Sequence, residues 1–140
     1  MALQNHSFAI FITRSSRLAN GTLKIEGTLE SPVVLRGDRL DDMVKNQPYD
    51  RTPGLWGGVV LKKGSFGNEI RYADIHSGSF GVQIDSTDVA QRALTMENSL
   101  ITTTTNHAIS VRQANVFIGN SQITNAGGDC LHVRGGDVTL

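Results

Sequence analysis

The alternation of apolar and other residues along this chain recurs in two interleaved sets. "GVVLK" (58–62), "GVQID" (81–85), "AISVR" (108–112) and "CLHVR" (130–134) each open on a small residue and then alternate. The inward positions are Val59/Leu61, Val82/Ile84, Ile109/Val111 and Leu131/Val133. Their spacings are 82−59 = 23, 109−82 = 27 and 131−109 = 22. Between them fall "NEIRYADI" (68–75), "LTMENSLI" (94–101) and "VFIGNSQI" (116–123), aligned on Ile70/Ile75, Met96/Ile101 and Ile118/Ile123, with "VTL" (138–140) opening a further copy. Asn98 and Asn120 share one repeat position, followed by Ser99 and Ser121.

Period-2 alternation makes each segment a half-buried strand. Two or more such strands within every 22 to 27 residues describe one coil of a β-solenoid. A single coil cannot bury its own inner face, so coils must stack, with equivalent strands running parallel. The extra residues of the 27-residue coil are expected in the turn 86–92, where insertions cost little. "GTLKIEGTLESPVVL" (21–35) reads as an earlier coil, with Leu23/Ile25 and Val33/Leu35 inward. The run from Phe8 to Ile12 reads as a strand; it is too short to span a bilayer and lacks the flanks of a signal peptide. Asn98 and Asn120 predict an internal ladder of stacked amides at a bend.

"GTLKIEGTLESPVVL" resembles the coil motif of right-handed parallel β-helix proteins of pectate-lyase-like fold. The further string "RGDRLDDM…PYDRTPGLWGG…YADIHSG" is similar to bacterial cell-surface β-helix proteins. The resemblance covers roughly residues 20 to 140 and implies handedness, in keeping with the preference of parallel crossovers. It also implies an extracellular or bacterial cell-surface location. Such proteins are usually longer and capped, so residues 1–140 are expected to be a single β-helix domain truncated at both ends. An uncapped end offers a route to end-to-end self-association. The predicted fold is all-β: a right-handed parallel β-helix of about five coils with one loop inserted at 36–55.

Composition agrees with a folded chain. Of 140 residues, 39% are hydrophobic and 19% charged, with 15 Gly against 3 Pro; short strands joined by frequent turns have this composition. Lys+Arg and Asp+Glu both number 13, which removes the footprint of a general nucleic-acid binder. Cys130 is the one cysteine, so neither an intrachain disulfide nor a Cys-based zinc site is available.

The outward column of the first strand set carries the candidate ligand-binding residues Lys62, Gln83, Asp85, Ser110, Arg112, His132 and Arg134. Stacked about 4.8 Å apart, Asp85 can pair with Arg112, while Arg112 and Arg134 become adjacent like charges that an anion would relieve. Arginines so placed suit the carboxylates of an acidic sugar chain. In the 36–55 loop four basic residues (Arg36, Arg39, Lys45, Arg51) balance four acids (Asp38, Asp41, Asp42, Asp50), and 40–44 is expected to form a helical turn. Tyr49 and Trp56 are candidates to stack on a sugar ring; the competing expectation is that they fold the loop onto the solenoid.

Metal chemistry finds little support. His107 and His132 are brought near one another on consecutive coils, but zinc needs three or four converging ligands, and no metal site or cofactor is assigned. Calcium belongs only to a lyase reading, and no acidic pair aligns on consecutive coils to hold it. The expectation is a non-catalytic extracellular β-helix module that binds a polysaccharide, with no nucleic-acid partner and no membrane insertion. The alternative is a polysaccharide lyase or glycoside hydrolase of pectate-lyase-like fold, with no catalytic residue assigned.

Overall fold

A computed structural model of the chain describes residues 2–4, 9–11, 16–18, 21–39, 41–86 and 88–140. The chain runs through β1 (Ala2–Gln4), β2 (Ala9–Phe11), β3 (Ser16–Leu18), β4 (Lys24–Glu26) and β5 (Val33–Arg36) before the insertion. The insertion holds β6 (Asp42–Val44), β7 (Gln47–Pro48) and a 3-10 turn at Tyr49–Arg51. Then come β8 (Val59–Leu61), β9 (Asn68–Arg71), β10 (Ala73–His76), β11 (Val82–Asp85), β12 (Arg92–Glu97) and β13 (Leu100–Thr104). The last three are β14 (Ile109–Gly119), β15 (Gln122–Ala126) and β16 (Leu131–Thr139). Of the predicted first strand, Ala9–Phe11 is extended, while Phe8 and Ile12 lie outside the described residues.

These strands stack into a parallel β-solenoid with three faces. The first face comprises β3, β8, β11 and the leading halves of β14 and β16. The second comprises β1, β4, β9, β12 and the trailing halves of β14 and β16. The third comprises β2, β5, β10, β13 and β15. β14 and β16 cross from first face to second without interruption, through Gln113 (φ 50°) and Gly135 (φ 77°). The described residues make about three full turns, 59–76, 82–104 and 109–126, flanked by partial ones. The periodicity predicts about five coils because it counts incomplete turns equally with complete ones.

The register reproduces the repeat. Val59, Val82, Ile109 and Leu131 pair in sequence, as do Ile70, Met96 and Ile118 on the second face and Ile75, Ile101 and Ile123 on the third. The 27-residue coil exceeds its 22-residue neighbour by five residues, and the pairing locates all five. Asp85 faces Arg112 and Arg92 faces Asn115, so gaps of 92−85 = 7 and 115−112 = 3 absorb four. The fifth is a bulge at Ala93, since Leu94 faces Val116. The insertion therefore lies in the predicted turn, plus one buried residue beyond it.

Ile25, Leu61, Ile70, Ile75, Ile84, Leu94, Met96, Ile101 and Ile109 are fully buried in one continuous core. Each such side chain contributes about 1.5–3 kcal/mol on leaving water, and each finds its partners directly above and below. The glycine opening the β8 and β11 segments has a steric cause: a Cβ on Gly58 would strike the Phe80 carbonyl. A Cβ on Gly81 would overlap the Ile101 side chain and the Ala108 carbonyl, because the third face folds back against the first at that corner.

The bend residues Tyr72, Asn98 and Asn120 all take positive φ (50°, 51° and 44°). Asn120 donates its amide to Asn98, so the predicted ladder exists. It stands on the outer side of the corner, however, and not inside. A left-handed residue at an outward bend turns its side chain away from the core. The interior polar positions belong to the next residues: the Ala73 amide donates to Ser99 Oγ at 3.1 Å, and the Ser99 amide to Ser121 Oγ at 3.2 Å.

Candidate functional site

Outward residues of β8, β11 and β14 on the first face come from strands whose inward partners are buried in the core, whereas β16 carries an inward Val133 that is 44% exposed. Val60, Gln83, Ser110 and His132 fall in one register, and Asp85, Arg112 and Arg134 in the next; Lys62 follows β8 directly. All seven predicted residues thus share one face. A shallow depression of about 160 Å³ is lined by Val60, Lys62, Gln83, Ile84, Asp85, Ser110 and Arg112. Among the described residues no ion pair joins Asp85 to Arg112 despite their register, and neither Arg112 nor Arg134 has a carboxylate partner within 4.0 Å. The second face differs: Lys24 pairs with Glu69 at 3.6 Å and Arg71 with Glu97 at 3.2 Å.

At the edge of the first face His107 and His132 stack, ring centroids 4.2 Å apart and 8° from parallel. His132 Nδ1 lies 2.8 Å from Asp129 Oδ2, while His107 Nδ1 accepts the Asp129 amide N–H at 2.9 Å. Arg134 Nε donates to His132 Nε2 at 3.1 Å. Donor atoms of His107, Asp129 and His132 lie within 4.8 Å of one another, close enough to share a cation. The nitrogens facing Asp129 are already engaged within the protein, so the cluster also satisfies itself as a hydrogen-bonded edge to the arginine pair.

The inserted loop closes on the third face. β6 and β7 form an antiparallel hairpin, Asp42 opposite Pro48, where the sequence predicts a helical turn over 40–44; Leu40 lies outside the described residues. The turn is delivered later, at Tyr49–Arg51, because Asn46 takes a left-handed conformation (φ 69°) and reverses the chain first. Leu55 N–H donates to the Ser77 carbonyl at 2.8 Å, and Trp56 bridges to Gly78 in parallel. Trp56 is 2% exposed and donates Nε1–H to the His76 carbonyl at 2.8 Å. It is a fixed part of the core, which corrects its assignment as a sugar-stacking residue. Tyr49 is half-buried and carries the Arg39 guanidinium 3.8 Å above its ring, so that ring face is occupied by the loop itself.

A charged network that no repeat announces lies beneath this loop. His76, 3% exposed, has Nδ1 at 2.8 Å from Asp74 Oδ1 and Nε2 at 3.1 Å from Asp50 Oδ1. Asp50 Oδ2 accepts from Arg36 at 2.9 Å, and Ser77 Oγ donates to the Asp50 carbonyl. Burial acts to lower the His76 pKa, but hydrogen bonds to Asp74 and Asp50 outweigh it and raise the pKa above its ordinary value. Burial likewise works against the Asp50 carboxylate, yet His76 and Arg36 hold its pKa below the usual range. The signal available in sequence was only "ADIH", which places Asp74 and His76 on the same side of a strand.

A broad, open groove follows the corner between second and third faces. It encloses about 510 Å³ between the 28–32 turn and the strands that carry Asp74, Leu100 and Gln122. No family model, no curated protein and no solved structure matches this chain. Among the described residues, no helix is long and apolar enough to cross a membrane.

Proposed function

We propose that the chain is a non-catalytic module of a pectate-lyase-like β-helix protein at the cell surface, holding an acidic polysaccharide along its first face. The observation that carries this reading is the Arg112–Arg134 stack. Two arginines occupy adjacent in-register positions, and the described residues give neither a carboxylate partner. Like charges so placed destabilise a sheet unless an anion bridges them. A uronate carboxylate suits the guanidinium fork. Lys62 would add a further cation one coil beyond Asp85, with Gln83 and Ser110 offering hydrogen bonds to hydroxyls from the same depression. The resemblance of "GTLKIEGTLESPVVL" to coils of that superfold supports the fold assignment, and that of "RGDRLDDM…PYDRTPGLWGG…YADIHSG" to bacterial cell-surface β-helix proteins supports the location.

The test is affinity electrophoresis in gels containing polygalacturonate, alginate or a neutral glucan, alongside absorbance of unsaturated uronates. Retardation by the uronates alone, weakening with salt as exposed charge contacts do and lost in Arg112→Ala/Arg134→Ala, is the expected result. Equal mobility in all three gels would sink the proposal. A rise in unsaturated uronate would replace the binding module with a lyase.

A further inference from the structure

We propose that the corner groove between the second and third faces binds a neutral pyranose sugar, as a second site on the side of the solenoid away from the arginine stack. A volume of about 510 Å³ falls within the usual range for small-ligand sites, about 300–1,000 Å³. Three features of its lining point to the same ligand.

The first is Tyr72. In register it stands below Asn98 and Asn120, and all three adopt left-handed backbone. Asn tolerates that conformation readily, whereas a bulky residue there is a genuine outlier. The bend itself therefore favours Asn, and strain of this kind clusters at functional sites. Tyr72 lines the groove together with Leu100, and Leu29, 80% exposed, stands at its lip. Aromatic and aliphatic surface of this shape accepts the C–H face of a sugar ring.

The second is Asp74. Its Oδ1 is held by His76, and His76 is held by Asp50. Among the described residues nothing donates to Oδ2, and the side chain is 28% exposed. Asp74 thus lines the groove with a carboxylate whose orientation is fixed through His76, and such preorganisation is what makes a polar contact selective.

The third is the balance of polar groups. Asn98, Asn120 and Gln122 supply both donors and acceptors, and among the described residues no Lys or Arg lines the groove. Asp74 repels an anion, so uronates and phosphates are disfavoured. Vicinal hydroxyls, which donate to a carboxylate and accept from amides, fit this set.

Saturation-transfer NMR with neutral tetrasaccharides (gluco-, manno- and galacto-configured), polygalacturonate and spermidine tests the assignment. The decisive variant is Tyr72→Asn, because it gives the bend its preferred residue and should melt no lower than the parent. Loss of neutral-sugar signal by tenfold or more in Tyr72→Asn and in Gln122→Ala, with Arg112→Ala/Arg134→Ala unaffected, is the expected pattern. Absence of neutral-sugar binding in the parent, its persistence in Tyr72→Asn, or a response to spermidine instead would each overturn the proposal. Since this site shares no residue with the first face, loss of one kind of binding leaves the other separately readable.

Discussion

His76 Nε2 meets Asp50 Oδ1 at 3.1 Å, and this contact fastens the inserted loop to the third face of the solenoid. The two groups come from segments 26 residues apart, and Asp74 and Arg36 complete the charge balance around them. The raised pKa of His76 means that its contribution is complete below the ordinary value of 6.5 and is lost as pH rises through the folded value. The lowered pKa of Asp50 means that its contribution is complete above 3.8 and is lost as pH falls through its folded value. Stability should therefore be greatest between about pH 4 and 6.5. Thermal melts from pH 4 to 9 should show a decline above that window, and His76→Gln should flatten it. An unchanged slope in the variant would show that His76 does not govern the loop.

Trp56 anchors the same loop. Trp56→Phe keeps most of the buried area but leaves the His76 carbonyl without its indole donor. An unsatisfied buried acceptor costs about 1–3 kcal/mol, readable as a lower denaturant midpoint. If the midpoint is unchanged, the hydrogen bond contributes nothing net.

Core burial predicts a gradient along the axis. Ile84 is enclosed by Leu61 below and Val111 above, so Ile84→Ala should cost about 2–5 kcal/mol. Val133 carries the same inward alternation but is 44% exposed, since among the described strands β16 pairs with β14 alone. Val133→Ala should cost no more than about 1 kcal/mol, as for a substitution away from the packed core. Urea titrations of the two variants give the comparison directly.

Two glycines separate strain from crowding. Gly58 has φ 89°, and a Cβ there would strike the Phe80 carbonyl. Gly67 has φ 66° with nothing within 4 Å of the added atom. Gly67→Ala should cost only the left-handed penalty, about 1–2 kcal/mol, and Gly58→Ala clearly more. Equal costs would mean that the corner between third and first faces can open to admit a methyl group.

What could be read in the chain follows from what repeats. Val82, Met96 and Ile101 announce their positions because each must match an apolar residue one coil away, and the spacing places these pairings without any structure. The acidic and basic residues of the first face were likewise assignable to one side, since alternation leaves them nowhere else to point. The residues 37–57 have no neighbour of their own kind, so neither the hairpin at 42–48 nor the descent of Trp56 into the core could be derived from periodicity.

The sequence by itself thus determined the solenoid, its register and the faces on which side chains stand, because stacking is a nearest-neighbour constraint that every coil restates. Only the tertiary structure decided that Asp50 reaches His76 and that Asp74 lines a corner groove. It also decided that Asn98 and Asn120 ladder on the outside of the bend. Those contacts depend on where a single non-repeating loop lands and which way a left-handed corner turns its side chain, and no periodic pattern encodes either.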